Sequence, residues 1–312
     1  MIGLARGVRA QFIWFPFTPL RERQLCSVNS KAPLLMLSRF CTVRMVSDGA
    51  KAHLHEMSPS APDALIDGVS ALVETLFAGL HPDYQKADLR YHNLQHTLLA
   101  TQCFVDLGRG LAKQGAAPGF GPREFTLGYA ATMLHDSGYL KTRDDPQGTG
   151  AKYTPTHVQR SCVLAGAMLP GLGCGPDEIE GVQNAIRCTG LTSKIEQIVF
   201  RTATQRMTGC MVATAVYLGQ MADPDYPDKL PGLYAEFEEA NDFNGVPLEQ
   251  RPFRSVKDLM SKTAGFWNNF ALPKLEREYE GVYRCLALAD GSNPYLRAVE
   301  QNLVAIAALA AG

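Results

Sequence analysis

From about residue 60 onward, hydrophobic positions recur three or four residues apart, the spacing that places them on one face of a helix. The first such run is Leu65, Val69, Leu72, Leu76 and Leu80. Ser60-x-x-Asp63 precedes it in the form of a capping box. Further helices are predicted over residues 89–113, 123–134, 154–169, 177–189, 194–221, 233–241, 255–270, 274–288 and 294–311. The sequence has no alternating strand-like runs, no fixed-period repeat and no Gly/Ser-rich linker, so the pattern predicts a single compact all-α domain over residues 45–312.

Residues 1–44 lack this periodicity. They contain seven Arg or Lys residues and one acidic residue, Glu22. This composition is typical of a transit-type leader; alternatively, translation begins at Met45 or Met57 and the segment is an over-extended start. On either interpretation we expect the segment to be disordered and to lie outside the domain. The predicted location of the domain is the cytoplasm, or an organelle if the leader directs import.

The charge of the domain disfavours a nucleic-acid polymer as its partner. Residues 45–312 carry 23 basic and 30 acidic side chains, a net charge of −7, whereas nucleic-acid-binding surfaces are basic. A small phosphorylated substrate is compatible with this charge, because it needs only a few local cations or a metal. No apolar run approaches the roughly 18–20 residues of a membrane-spanning helix, and the eight cysteines form no CxxC pair. We therefore expect reduced thiols and no membrane partner. The sequence does not indicate an oligomeric state.

Two short segments carry histidines in an unusual arrangement. LRYHNLQHT has His92 and His96 four residues apart, which on a helix places both on the same face. ATMLHDSGYL ends an apolar run on His135-Asp136, and Asp223 follows the long predicted helix. Each of these residues alone is more often a hydrogen-bonded core or surface residue. The ordered set of a histidine, a His-Asp pair and a distant aspartate is far more specific.

This ordered set resembles the HD/PDEase superfamily of metal-dependent phosphohydrolases. In that superfamily a histidine, an adjacent His-Asp pair and a distant aspartate come from three separate helices. The resemblance implies an all-α fold and the metal ligands His96, His135, Asp136 and Asp223. YHNLQHT is similar to the signature of the cyclic-nucleotide phosphodiesterase branch, and QMADPDYPDKLPGLYAEF and NPYLRAVEQNL resemble a bacterial HD subgroup whose substrates are generally unassigned. The likeness covers about residues 90–240 and weakens towards the C-terminus.

The implied ligand set of two imidazoles and two carboxylates suits Mn²⁺, Fe²⁺, Mg²⁺ or Zn²⁺. Such an ion lowers the pKa of a bound water and polarises a phosphoryl oxygen, so we expect a phosphoester to be hydrolysed by metal-activated water. His92, predicted one turn before the first ligand, is the expected general acid; alternatively, it orients another ligand through a hydrogen bond. Asn93 is interpreted mainly as part of the scaffold; it could also brace the site by bonding to a carboxylate. Helix neighbours diverge by about 100°, so the turn at His135-Asp136 must let both side chains converge, with the help of Gly138.

A second ion and the substrate phosphate have weaker candidates. His157 is predicted in the first turn of its helix, where related HD proteins with two metals often place a further ligand. The later segment AIRCTGL, where those proteins have another histidine, contains none, so a second ion would be held loosely. Alternatively, His157 binds substrate phosphate with Arg160 and Lys152, or it merely caps its helix. Lys141 and Arg143 could also bind phosphate, although such a loop is also typical of a solvated surface.

The sequence therefore predicts a metal-dependent phosphatase or phosphodiesterase of small molecules, with a nucleotide or cyclic nucleotide as the favoured substrate class. Two alternatives are a non-catalytic ligand-sensing HD module and a diiron oxygenase of the inositol-oxygenase type, which demands more histidines than the sequence places. In the phosphodiesterase branch the HD pair is commonly followed by a further histidine and glycine, whereas this chain reads HDSGYL. The aromatic segment FWNNF could stack a base, but aromatic residues at helical spacing are more often core.

Overall fold

The described part of the chain is built almost entirely of helices. The computed structural model describes residues 41–115 and 119–311. Its α-helices are, in order, Val43–Met57 (α1), Ala64–Phe77 (α2), Leu94–Gln114 (α3), Pro122–Leu134 (α4), His157–Met168 (α5), Pro176–Arg187 (α6), Ala203–Met221 (α7), Tyr226–Phe243 (α8), Val256–Phe266 (α9), Leu272–Arg277 (α10) and Pro294–Ala311 (α11). Within these residues the β-type pairing is limited to one isolated bridge between Tyr84 and Thr142. The prediction of an all-α fold is confirmed.

Two long helices, α3 and α7, lie at the centre of the domain. They cross very closely, since a Cβ added to Gly219 on α7 would lie 2.6 Å from the Cα of Ala100 on α3. α4 packs against both, and α1 and α2 cover α3 and α4. α6 packs against α4 and α7, α5 packs against α6, and α11 contacts α7, α8 and α9. The helix ends that carry the predicted ligands therefore belong to the central helices α3, α4 and α7.

Side-chain caps set where several helices begin. Asn93 caps α3, because its Oδ1 accepts a hydrogen bond from the backbone N–H of His96 at 3.1 Å. Its Nδ2 donates to the carbonyl oxygen of Arg90 at 2.6 Å. Both ends of the amide are thus used in the turn, which corrects the prediction that Asn93 bonds to a site carboxylate. The residues that cap α1, α7 and α9 in the same way are Thr42, Thr202 and Ser255.

Two predicted boundaries near the N-terminus are wrong. Helix α1 begins at Val43, inside the predicted leader, whose residues 1–40 lie outside the described part. The next helix begins after Asp63 and not at a capping box on Ser60. Leu80 lies beyond its end and is 76 % exposed. The apolar spacing in the sequence therefore continues about one turn beyond the C-terminal end of α2.

Two further boundaries affect the site. α3 begins at Leu94, so His92 lies in the turn before the helix and not on the same helical face as His96. α5 begins at His157, after a 3₁₀ turn over Gly150–Tyr153, and not at residue 154. In both cases the chain enters the helix later than the apolar spacing suggested, because a turn with its own hydrogen bonds occupies the preceding residues.

The aromatic segment FWNNF belongs to the core. Trp267–Ala271 form a π-helical turn that joins α9 to α10. The rings of Phe266 and Phe270 stack with their centres 5.3 Å apart, and both lie next to the ring of Tyr217 on α7. This packing supports a structural role for the segment.

The described residues also bear on the membrane and thiol predictions. None of the helices in residues 41–115 and 119–311 combines the length and the apolar character needed to cross a bilayer. The seven cysteines in this part are buried free thiols. The eighth, Cys26, lies outside the described residues.

Candidate metal centre

Three of the four implied ligands meet in the interior. Nε2 of His96 lies 3.2 Å and Nε2 of His135 lies 3.1 Å from Oδ2 of Asp136. All three residues are buried, and their ligand atoms lie within 4.8 Å of one another. The separations of 3.1 and 3.2 Å fall in the range expected for neighbouring ligands around a cation with bonds of about 2.1 Å.

The tautomer of His135 leaves a lone pair facing the carboxylate. Nδ1 of His135 lies 2.7 Å from the carbonyl oxygen of Thr132, so this nitrogen donates, and Nε2 of the neutral ring has only a lone pair. Neither Nε2 of His135 nor Oδ2 of Asp136 has a hydrogen-bond partner, although the two atoms are 3.1 Å apart. Two buried acceptors at this distance repel each other, and buried polar atoms without partners are rare. A cation would satisfy both atoms, so these residues fit a metal.

The charges of Asp136 and His96 agree with this fit. Burial alone would raise the pKa of Asp136, but the neighbouring imidazoles of His135 and His96 outweigh burial and hold that pKa well below its ordinary value. Burial lowers the pKa of His96. For His135 burial is the largest single influence and lowers the pKa, but the charge and hydrogen bond of Asp136 together with the carbonyl oxygen of Thr132 outweigh it and raise the pKa, which favours the protonated ring in the absence of a cation. The carboxylate is therefore ionised, and a cation that binds here would have to displace any proton on Nε2 of His135.

His135 and Asp136 converge because α4 ends just before them and a 3₁₀ turn follows. Helix α5 holds this turn in place. A Cβ on Gly138 would lie only 1.9 Å from the carbonyl oxygen of His157. The hydroxyl of Ser161 accepts a hydrogen bond from the N–H of Gly138 at 2.8 Å and donates to the carbonyl oxygen of His135 at 2.5 Å. Gly138 thus acts by permitting the close approach of α5.

His92 is held beside the centre by a glutamate from α8. The rings of His92 and His96 have their centres 5.3 Å apart. Nδ1 of His92 lies 2.6 Å from Oε2 of the buried Glu236, and Oε1 accepts a hydrogen bond from the N–H of Tyr91 at 2.6 Å. Among the described residues no hydrogen bond involves Nε2 of His92. Sequence reasoning missed Glu236, because AEFEEA contains three glutamates and no signal for the buried one.

Tyr139 lies between His92 and His157 in a stack of three rings. Its ring centre is 4.6 Å from that of His92 and 4.5 Å from that of His157. Nδ1 of His157 lies 2.7 Å from the carbonyl oxygen of Thr154, and Nε2 lies 3.8 Å from Oδ1 of Asp136. Burial lowers the pKa of His157. The structure thus places an unprotonated nitrogen of His157 at the edge of the centre, facing the second oxygen of Asp136.

Asp223 does not belong to the group of three. It follows α7 and is buried, but its Oδ2 forms an ion pair with Nζ of Lys229. Its Oδ1 accepts a hydrogen bond from the N–H of Asp225 at 2.9 Å. The fourth implied ligand is therefore engaged by a lysine from α8, a residue that the sequence did not single out.

The cations expected to bind substrate phosphate are used inside the protein. Nζ of Lys141 pairs with Asp88 at 3.0 Å and donates to a backbone carbonyl oxygen at 2.6 Å. Arg160 donates to two backbone carbonyl oxygens of the turn after the His-Asp pair, at 2.6 and 2.7 Å. Lys152 pairs with Asp145. These bonds hold the loop that follows the centre, and phosphate binding by Lys141, Arg160 and Lys152 stays a prediction.

Comparison with models of known protein families and with curated proteins finds no match to this chain. The resemblance to the HD/PDEase superfamily therefore depends on the motif residues alone. The arrangement of these residues in the structure is therefore the basis for proposing a function.

Proposed function

We propose that this protein is a metal-dependent phosphohydrolase that cleaves a phosphoester in a small molecule, with a nucleotide or cyclic nucleotide as the favoured substrate class. The observation that carries the proposal is the buried group of His96, His135 and Asp136, in which two acceptors face each other without a hydrogen bond. Imidazole and carboxylate ligands suit Mn²⁺, Fe²⁺, Mg²⁺ or Zn²⁺. Three protein ligands also leave such an ion free to bind water or substrate.

The residues around the group suit acid catalysis of phosphoester cleavage. A divalent cation held there would supply an acidic water and a polarised phosphoryl oxygen. His92 acts as the general acid, because Glu236 holds Nδ1 and leaves Nε2 to donate a proton to the leaving oxygen. Tyr139 packs against the ring of His92 and restricts its rotation. His157 presents an unprotonated Nε2 towards Asp136, where it would hold a second cation; binding a substrate phosphate oxygen would require this nitrogen to be protonated.

The proposal is tested by elemental analysis of protein purified without added metal. A panel of phosphomonoesters, cyclic nucleotides and nucleoside triphosphates follows. We expect wild-type protein to contain a divalent metal and to hydrolyse at least one class. H135A and D136A should lose both metal and turnover while circular dichroism shows unchanged helicity. The matched control is H55A, which removes a partly exposed histidine paired with Asp63 outside the centre, at 2.9 Å.

Unchanged turnover in H135A would contradict the proposal. A bound metabolite without turnover would favour the ligand-sensing alternative. Iron together with O₂ consumption would favour the oxygenase.

A further inference from the structure

The hydroxyl of Ser161 on α5 is fully buried and bonds to both sides of the turn that carries His135 and Asp136. Its Oγ donates to the carbonyl oxygen of His135 at 2.5 Å and accepts a hydrogen bond from the N–H of Gly138 at 2.8 Å. These two backbone groups are three residues apart, which is the spacing that a 3₁₀ turn joins directly. The hydroxyl is therefore inserted where the turn would otherwise close on itself.

The opened part of the turn contains the two adjacent ligands. The next step of the turn is closed directly, since the N–H of Tyr139 donates to the carbonyl oxygen of Asp136 at 3.1 Å. A side chain inserted into a helical hydrogen-bond ladder bends the backbone at that point. The bend lies between His135 and Asp136, whose side chains would diverge by about 100° on a regular α-helix. Here Nε2 of His135 and Oδ2 of Asp136 instead lie 3.1 Å apart.

We propose that Ser161 is a positioning residue of the centre, whose inserted hydroxyl holds the turn in the shape that lets His135 and Asp136 reach one cation. The inference rests on the proposed function only in taking these two residues as ligands of a divalent cation. Without the hydroxyl, the carbonyl oxygen of His135 and the N–H of Gly138 lose their shared partner. Because buried backbone groups are almost always paired, the turn then closes by a direct bond between them. Closing the turn moves the two ligand side chains apart, and metal binding has to reopen it.

The test is the affinity for Mn²⁺, measured by isothermal titration calorimetry on full-length protein stripped with a chelator. We expect S161A to bind Mn²⁺ about 10–100-fold more weakly than wild type, the range found when a group that orients a metal ligand is removed. S161C keeps a weak donor and acceptor, so its loss should be smaller. The control S70A makes the same change at another buried serine, whose hydroxyl bonds to that of Tyr129 at 2.8 Å. Urea unfolding should show lower stability in both alanine variants, whereas only S161A should lose Mn²⁺ affinity.

The control separates positioning from a purely structural role, which would lower stability and leave the affinity for Mn²⁺ unchanged. Wild-type affinity in S161A, or an equal loss of affinity in S70A, overturns the inference while the metal centre stands. If S161A does not fold, S161C carries the same comparison. Absence of any Mn²⁺ binding that H135A removes overturns the proposed centre itself, and the inference with it.

Discussion

The contact between Glu236 and His92 allows a sharp test of the proposed general acid. Glu236 accepts two hydrogen bonds of 2.6 Å, from Nδ1 of His92 and from the backbone N–H of Tyr91. In E236Q the side chain keeps its shape but has only one acceptor oxygen. The N–H of Tyr91 cannot turn around, whereas His92 can change tautomer. We therefore expect the glutamine NH₂ to face Nδ1 of His92 and to move the ring proton to Nε2.

The magnitude follows from the bonds that are lost. Because the side chain of Glu236 is 6 % exposed, water replaces neither bond. E236Q keeps two hydrogen bonds but exchanges a charged carboxylate for a neutral amide, which should lower the free energy of unfolding by about 1–3 kcal/mol. E236A leaves both donors unpaired and should cost about 2–6 kcal/mol. Since the charged ring of His92 no longer has a carboxylate partner, kcat should fall by about 10²–10⁴-fold in E236Q, with KM little changed.

Three measurements check this prediction. Urea unfolding gives the free energy, ¹⁵N NMR of the imidazole nitrogens gives the tautomer of His92, and turnover of the substrate found in the panel gives kcat. The control is E238Q on the same helix, where the carboxylate pairs with Arg251 at 3.0 Å, away from the centre. Wild-type kcat in E236Q, with the proton still on Nδ1, would refute the role assigned to Glu236.

Three other properties can be measured independently of any substrate. In G138A the added Cβ would lie 1.9 Å from the carbonyl oxygen of His157, so the free energy of unfolding should fall by about 3 kcal/mol. G171A, whose Cβ meets no atom within 4 Å, should be nearly neutral in the same urea titration. Burial raises the pKa of Asp106 to about 6, above its unfolded value of about 3.9, so the folded state keeps a proton that the unfolded state has lost. The contribution of Asp106 to stability therefore falls as pH rises from about 4 to about 6, and the advantage of D106N over wild type should grow by about 3 kcal/mol across that window. If urea unfolding gave the same difference in free energy between D106N and wild type at about pH 4 and about pH 6, this prediction would be contradicted. Mn²⁺ at about 100 times its Kd should add about 2.7 kcal/mol and raise the Tm of wild type by about 5 °C. Scanning calorimetry should show no such rise in D136A.

Local sequence patterns determined the class of the fold and the positions of several helices. The helix predicted over residues 294–311 is observed as Pro294–Ala311, because a proline at its first position and its apolar spacing are both local signals. The start of α3 was misplaced because the cap on Asn93 competes with an apolar spacing that runs through the preceding turn. Helix α1 is absent from the predicted helices, which begin only after residue 60, although Val46, Ala50 and Leu54 form a buried stripe at helical spacing.

Local patterns also singled out His96, His135 and Asp136, since histidines and a carboxylate at the ends of apolar helices can be recognised in the sequence alone. Only the tertiary structure decided which partners these chemical groups have. Glu236 and Lys229 both come from α8, whose sequence has five acidic residues and one lysine and does not indicate which of them are paired inside the protein, yet they bind His92 and Asp223. The physical reason is that periodicity reports which face of one helix is buried. The charge that a buried group meets depends on which other helix packs against that face.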